Sequence, residues 1–164
     1  MWVIDFEASG LSAHSYPIEV GLTNGKSEYQ ALIRPLDHWR YWSPDSEKIH
    51  NIKRSQLETE GLNAVHVARK LNEILGGNAV YCDCLNWDSF WCDILFNDTG
   101  VERRFELRDI SSLIADCSHR ISAYCQHREL LQLSGEYVNH RALDDAAVIW
   151  RSLNISRDAV RSRQ

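Results

Sequence analysis

The chain has 164 residues, of which 44% are hydrophobic and 25% are charged, and its formal net charge is −5. This composition is typical of a globular protein, and the length predicts a single domain over residues 1–164. No apolar run approaches the length of a membrane-spanning helix or of a signal-peptide core, so we expect a cytoplasmic protein with no membrane partner. The acidic balance argues against tight, non-specific duplex binding, which requires a broad basic surface, but it does not exclude nucleic acid.

The first third of the chain predicts a strand-rich unit. Three apolar segments bounded by turn residues are predicted to be strands: 2–6, 17–23 and 26–34. Asn24-Gly25 is a strong hairpin signal, so the second and third strands are expected to pair antiparallel. Residues 36–60 are polar and aromatic and predict a long loop with short helical turns, and loops of this length are often functional.

The rest of the chain alternates between helical and strand patterns. Helical spacing of apolar residues predicts helices over 62–75, 88–96, 111–126, 127–133 and 140–153. Short apolar runs predict two further strands at 79–82 and 104–107. Asn139 is a suitable N-cap for the last helix. The order predicts a mixed α/β fold in which helices cover a five-stranded sheet.

Acidic residues close the first predicted strand. Asp5 and Glu7 lie two residues apart, so in a strand both side chains point to the same face, about 6–7 Å apart along the chain. A lone pair of this kind is more often a polar strand end at the surface. Two carboxylates that point together repel each other, however, and divalent cations such as Mg²⁺ or Mn²⁺ are the usual partners of oxygen-only ligands.

Three more polar residues are predicted to reach the same sheet edge. Asp88 opens a helix that follows a strand, Asp145 lies on the last helix, and His140 lies just before it. Two cations held by such carboxylates can activate water and stabilise a leaving oxygen in phosphoryl displacement, and a histidine can take the proton from that water.

Three stretches, in this order, resemble the motifs of the DEDDh 3′–5′ exonucleases, a family of the ribonuclease-H-like superfamily. The stretches are Asp5-Phe6-Glu7-Ala8-Ser9-Gly10-Leu11, Asn86-Trp87-Asp88-Ser89-Phe90-Trp91 and His140-Arg141-Ala142-Leu143-Asp144-Asp145-Ala146. Residues 16–22 resemble the strand after the first motif, and residues 49–52 resemble the segment that commonly precedes the first long helix. The resemblance covers nearly the whole chain.

The resemblance implies a ribonuclease-H-like fold, with a mixed five-stranded sheet that begins as an antiparallel meander, continues with parallel strands and carries helices on both faces. It implies that Asp5, Glu7, Asp88 and Asp145 hold two Mg²⁺ or Mn²⁺ ions and that His140 is the general base. The implied activity is 3′–5′ hydrolysis of single-stranded RNA or DNA with a free 3′ end to nucleoside 5′-monophosphates, with RNA weakly preferred. The alternatives are a catalytically silent nucleic-acid-binding module of the same fold and a hydrolase of another phosphate ester; a homodimer is left open.

Three of the residue assignments implied by this resemblance have alternatives nearby in the sequence. Asp83 lies close to Asp88, which fits the second motif better because Trp91 and Leu95 follow it at the family spacing. In the tyrosine subclass of this family a tyrosine replaces the histidine, and the spacing is Y-x3-D. Tyr137 would then require an aspartate at position 141, where this chain has Arg141. The H-x4-D spacing ends on Asp145 rather than on Asp144.

The resemblance also implies contacts to the terminal nucleotide. Backbone groups of Ala8 and Ser9 would meet it, Leu11 would form a wedge beside its base, and His50 would line the same groove. Unpaired bases stack on aromatic side chains, so tryptophans near the motifs are candidates for such contacts, although most are expected to be core or loop anchors. The candidates are Trp87, Trp91, Trp39 and Trp42.

Overall fold

The computed structural model describes residues 1–161, with side chains described through Arg157. Strands and helices alternate after an initial run of three strands. The strands are β1 (Trp2–Ala8), β2 (Pro17–Thr23), β3 (Glu28–Arg34), β4 (Leu62–Asn63), β5 (Ala79–Cys82) and β6 (Glu106–Asp109). The helices are α1 (Pro44–His50), α2 (Arg54–Glu60), α3 (Ala64–Leu75), α4 (Leu85–Thr99), α5 (Ser111–Ile114), α6 (Ser118–Leu133) and α7 (Ala142–Arg161).

The strands form one mixed sheet in the order β4-β3-β2-β1-β5-β6. β1, β2 and β3 pair antiparallel as a meander, whereas β5 and β6 lie parallel to β1. The predicted fold class is confirmed, but the predicted count of five strands is one too low. The extra strand, β4, has only two residues, which pair with Ile33 and Arg34 and stand directly before α3, so their pattern merges with that of the helix.

Helices cover both faces of the sheet, as predicted, and β1 contributes to both packing layers. Ile4 and Phe6 belong to the larger buried cluster, which includes residues of α3 and α4. Val3 packs on the opposite face with Ile149 and Leu153 of α7. Because side chains alternate along a strand, Asp5 and Glu7 share the face of Val3 and lie on the side covered by α7.

The start of α7 differs from the prediction. The helix begins at Ala142 rather than at His140, and His140 has a left-handed backbone with a φ of 60°. The N–H of Ala142 donates to the carboxylate of Glu19 on β2 over 3.1 Å. The cap therefore comes from a neighbouring strand and not from Asn139, and local sequence reasoning has no access to such a contact.

The predicted break between helices at residues 126 and 127 is also wrong. The break falls after Ile114, and α6 is continuous from Ser118 to Leu133. None of the helices in the described part of the chain is long and apolar enough to cross a lipid bilayer.

Candidate active site

The acidic end of β1 lies beside β2, which fixes the directions of its side chains. Asp5 pairs with Gly21, and Glu7 pairs with Glu19, across the antiparallel ladder. Directly opposed residues of such a ladder point to the same face, so Glu19 and the bare backbone of Gly21 lie beside the two β1 carboxylates. The ladder shifts register between Glu7 and Ala8, where the strand leaves the sheet.

The other predicted acidic residues and the histidine converge on this strand end in two groups. Glu7, His140 and Asp145 each offer a ligand atom, and these atoms lie within 4.8 Å of one another. Asp88, in the first turn of α4, forms the second such group with Asp5 and Asp83. The structure therefore brings together all five residues that the sequence singled out.

Burial and mutual repulsion shift the protonation equilibria of these carboxyl groups. Burial, and next the charge of Asp83, raises the pKa of Asp88 to about 7. Burial and the charge of Asp145 raise the pKa of Glu7 to about 8, and burial raises that of Asp145 to about 6. Burial and the charge of Asp88 hold the pKa of Asp5 well above its usual range.

The donor set fits a hard divalent cation. Asp88 is only 2% exposed, and its buried Oδ2 has no hydrogen-bond partner among the residues that the structure describes. A buried polar atom of this kind is costly unless a partner arrives. Carboxylate oxygens that repel one another and lack donors are suited to Mg²⁺ or Mn²⁺, so Asp5, Glu7, Asp88 and Asp145 could hold such ions.

A fifth carboxylate and an arginine also lie at this site. Asp83, directly after β5, forms a 2.5 Å ion pair with Arg128 of α6. Burial alone would lower the pKa of the Arg128 guanidinium, but the charges of Asp83 and Asp145 hold it above its usual value. Sequence reasoning ranked Asp83 below Asp88 and did not find Arg128. A position at the carboxyl end of a parallel strand was the available signal for Asp83, whereas Arg128 has no distinguishing local pattern.

Glu19 fixes the segment that carries the histidine. Its fully buried carboxylate accepts from the Arg141 guanidinium over 2.7 Å, from the Ala142 N–H over 3.1 Å and from the Gln30 amide over 2.9 Å. These bonds connect β2 to the residues directly after His140. Glu19 was also missed as a functional candidate, although a charged residue inside the apolar strand Pro17–Thr23 is an unusual pattern that calls for a buried partner.

Gly21 lets α7 approach the sheet closely. A Cβ atom built on Gly21 would lie 2.1 Å from the backbone nitrogen of Leu143, a distance that no side chain tolerates. The first turn of α7, which carries Asp145, therefore rests directly on the backbone of β2. This contact sets the height of Asp145 above Asp5 and Glu7.

A cavity of about 180 Å³ opens beside the carboxylates. Ala8, Leu11, His50, Trp91 and His140 are among the residues that line it, together with Glu7. Leu11 stands at its rim with 69% of its surface exposed. Four of the six predicted substrate contacts therefore share one cavity with the acidic site.

The other two predicted contacts are placed differently. Ser9 is buried, its N–H donates to the Tyr16 carbonyl and its carbonyl accepts from the Ser43 N–H, so its backbone groups are already in use. Trp87 is not among the residues lining the cavity, and it stacks on Trp91 with ring centroids 5.3 Å apart. Its observed contact is thus a support for Trp91.

The tryptophans considered outside the motifs have structural contacts. Trp39 is buried and stacks on Tyr16, and its indole N–H donates to Asp98 over 2.6 Å. Trp42 donates to Glu47 over 2.6 Å. This agrees with the expectation that most tryptophans anchor the core or the loops.

His50 lines the cavity and carries a buried hydrogen-bond donor without a partner among the described residues. It is 4% exposed, and its Nδ1 accepts from the Ile52 N–H over 3.0 Å. Burial lowers the pKa of His50 and so favours the neutral ring. In the neutral ring the proton then resides on Nε2, which is buried and has no partner within the described part of the chain.

Comparisons with known proteins bear on the fold. No protein-family profile and no curated protein sequence matches the chain. Among solved structures, exonuclease I of E. coli in its zinc-bound complex with single-stranded DNA is 14% identical with a TM-score of 0.70, covering 99% of this chain and 40% of that one. The same enzyme with a 5cy-dT13 oligonucleotide gives 13% identity and a TM-score of 0.73, covering 99% and 40%.

The moderately thermophilic exonuclease I from Methylocaldum szegediense is also similar, with 14% identity, a TM-score of 0.72 and coverage of 96% and 40%. The chain thus spans about 40% of the length of these exonuclease chains. At this identity the likeness shows a shared fold and does not transfer a residue's role. The chain therefore has the same fold as these exonuclease I structures, a mixed α/β fold of the kind that the sequence predicted.

Proposed function

We propose that the chain is a metal-dependent 3′–5′ exonuclease that removes nucleoside 5′-monophosphates from single-stranded nucleic acid. The observation that carries this proposal is the meeting of Asp5, Glu7, Asp88, Asp145 and His140, which come from three distant stretches of the sequence, at one strand end. A silent binding module of the same fold has no need for all five groups. The similarity in fold to exonuclease I supports the same proposal.

Two cation positions are proposed because the ligand atoms fall into two groups. The group of Asp5 and Asp88 and the group of Glu7 and Asp145 would each hold one Mg²⁺ or Mn²⁺. Bound divalent ions would stabilise negative charge on the phosphate and make a water molecule more acidic. Because these ions prefer oxygen ligands, His140 is proposed as the base rather than as a ligand.

The proposed reaction is hydrolysis of the last phosphodiester. A water oxygen attacks the terminal phosphorus, and His140 takes a proton from that water. The bond from phosphorus to the 3′ oxygen of the preceding nucleotide breaks, and that oxygen gains a proton to become the new 3′ hydroxyl. The exposed position of His140 at the cavity lets it return its proton to solvent.

The cavity is proposed to hold the terminal nucleotide. Leu11 at the rim would pack against its base, and His50 would line the same groove. A 3′-phosphate would add charge and bulk beside Glu7 and Asp145, so it should block cleavage. This gives the proposal a polarity that can be measured.

The test uses single-stranded DNA and RNA of equal sequence, labelled at the 5′ end, with Mg²⁺ or Mn²⁺. DNA is the primary substrate because the matched exonuclease I structures hold DNA oligonucleotides; the weak preference for RNA predicted from the sequence is tested in the parallel arm. We expect a descending ladder of labelled products, no activity in EDTA and no cleavage of a 3′-phosphorylated strand. The Asp5→Asn variant should be inactive, and Asp116→Asn, which alters an exposed surface pair, should behave like the unmodified protein.

Two results would contradict the proposal. Immediate release of the labelled 5′ nucleotide would mean the opposite polarity. Tight binding of single strands without any turnover in either metal would favour the silent binding module.

A further inference from the structure

A second cavity, of about 550 Å³, lies against the loop that joins β1 to β2. Residues 13–16 of this loop form one wall, and residues 38–41 form another. Ile94 and Asp98 of α4 complete it. Its volume is sufficient for a small organic group such as a nucleotide.

The two cavities share a dividing wall. Trp91 lines the first cavity, and its indole N–H donates over 2.9 Å to the hydroxyl of Ser15, which lines the second. Gly10 lines the first cavity, and the ring of Tyr41, which lines the second, lies against it so closely that an added Cβ would be 2.7 Å away. Leu11, which follows Gly10 directly, is exposed at the rim of the first cavity, so a strand that leaves this cavity past Gly10 and Leu11 would meet the ring of Tyr41.

The second cavity combines an aromatic surface with exposed basic side chains. Tyr41 is 36% exposed, and Arg40 and His14 are exposed beside it. No carboxylate within the described residues forms an ion pair with Arg40. Asp98, the acidic group of this cavity, is already bonded to the rings of His38 and Trp39.

We propose that this second cavity holds the nucleotides that precede the 3′-terminal one in a single-stranded nucleic acid. A base would stack on Tyr41, and a backbone phosphate would contact the guanidinium of Arg40. Aromatic stacking and a positive groove are the two contacts by which proteins bind single strands without reading their sequence. The inference rests on the proposed function, since it assumes that the terminal nucleotide occupies the first cavity.

The test measures equilibrium binding of a fluorescent DNA dodecamer and a dinucleotide by anisotropy in EDTA, where no cleavage is expected. The unmodified protein should bind the dodecamer more tightly. Arg40→Ala should weaken dodecamer binding about tenfold more than dinucleotide binding and should reduce the slope of log Kd against log salt by about 0.7, the value for one single-strand phosphate contact. Arg69→Ala, which removes an exposed arginine from α3, is the matched control for charge.

Tyrosine variants test the stacking contact separately. Tyr41→Leu should weaken dodecamer binding about tenfold, whereas Tyr41→Phe keeps the ring and should restore it. The inference is overturned if the dodecamer binds no more tightly than the dinucleotide, or if Arg40→Ala matches Arg69→Ala in affinity and salt slope. If this binding pattern is observed but no hydrolysis occurs in Mg²⁺, the exonuclease proposal is wrong and the inference of a strand-binding cavity is retained.

Discussion

His140 is the residue whose role decides the chemistry of the site. It lies within 4.8 Å of ligand atoms of Glu7 and Asp145, and its backbone is left-handed, a conformation that is uncommon for a residue other than glycine. Strain of this kind persists where the surrounding structure imposes it, and it concentrates at functional sites. The strained turn points the imidazole toward the carboxylates instead of continuing the helix.

The first prediction concerns His140→Ala. If the imidazole is the general base, hydrolysis should slow by about 10²–10⁴-fold, while Mn²⁺ affinity measured by calorimetry stays nearly unchanged because the carboxylates remain. His119→Ala, at an exposed position of α6, is the control. A large loss of Mn²⁺ affinity in His140→Ala would instead make the histidine a ligand, and near-normal turnover would remove it from the mechanism.

Arg128 acts on the same site as a fixed counter-charge. It pairs with Asp83, which lies within 4.8 Å of ligand atoms of Asp5 and Asp88. A divalent cation entering this group would therefore meet a positive charge that is already in place. The guanidinium should stabilise the metal-free protein and oppose cation binding.

The second prediction follows from these opposite effects. Arg128→Ala should lower the free energy of unfolding in EDTA by about 1–3 kcal/mol and should tighten Mn²⁺ binding. Arg120→Ala, which removes another arginine of α6 and its pair with the exposed Asp116, is the control. Weaker cation binding in Arg128→Ala would mean that the arginine organises the ligands rather than competing with the ion.

At the scale of elements, the site depends on how closely α7 rests on β2. The predicted hairpin at Asn24-Gly25 was confirmed, and the five predicted strands were found with their ends within about two residues of the predicted ones, because their signals are local. The start of α7 was not predictable in this way, since its cap is Glu19, a residue more than a hundred positions earlier. The two-residue strand β4 was missed for a related reason, because its pairing partner on β3 and not its own pattern makes it a strand.

The third prediction concerns Gly21→Ala. The new methyl group would overlap the backbone of Leu143, so α7 must move away from the sheet. We expect a stability loss of about 1–3 kcal/mol, as for other overpacked sites, together with a loss of turnover at temperatures where the variant is fully folded. Leu75→Ala, a buried change in α3, should cost stability while retaining turnover in the folded protein. Normal turnover in folded Gly21→Ala would show that the close contact between α7 and β2 is not needed to position Asp145.

Across the whole molecule, the sequence identified the residues that meet at the candidate site better than it identified the residues that hold them in place. Asp5, Glu7, Asp88, His140 and Asp145 were identified because their spacing resembles known motifs, and the structure brings them together. Their supports act through long-range contacts and have no short signature. These supports are Glu19, Gly21, Asp83 and Arg128.

The fourth prediction is that the stability of the metal-free protein falls as the pH rises and that a bound divalent cation offsets this fall. Burial and repulsion raise the pKa values of Glu7, Asp88 and Asp145 to about 8, 7 and 6, above those of the unfolded chain. The folded metal-free protein therefore binds more protons than the unfolded chain, and stability is lost as the pH rises from about 4 to about 8. Thermal unfolding in EDTA should show this decline, and Mg²⁺ should stabilise more at pH 8 than at pH 5.5 because cations bind the ionised carboxylates.

A variant distinguishes this origin from a general pH effect. Asp88→Asn should flatten the decline in EDTA, since the amide does not titrate, whereas Asp116→Asn should leave it in place. Rising stability between pH 5.5 and 8 in EDTA would contradict the charge states assigned to the site.

The measurement that bears most directly on the proposed metal centre is calorimetric titration of the unmodified protein with Mn²⁺ at pH 8. We predict two bound ions, loss of at least one of them in Asp88→Asn and in Asp145→Asn, and unchanged binding in Asp116→Asn. The proposed metal centre would be contradicted if the unmodified protein binds no Mn²⁺. It would also be contradicted if the Asp88→Asn and Asp145→Asn variants bind Mn²⁺ as the unmodified protein does.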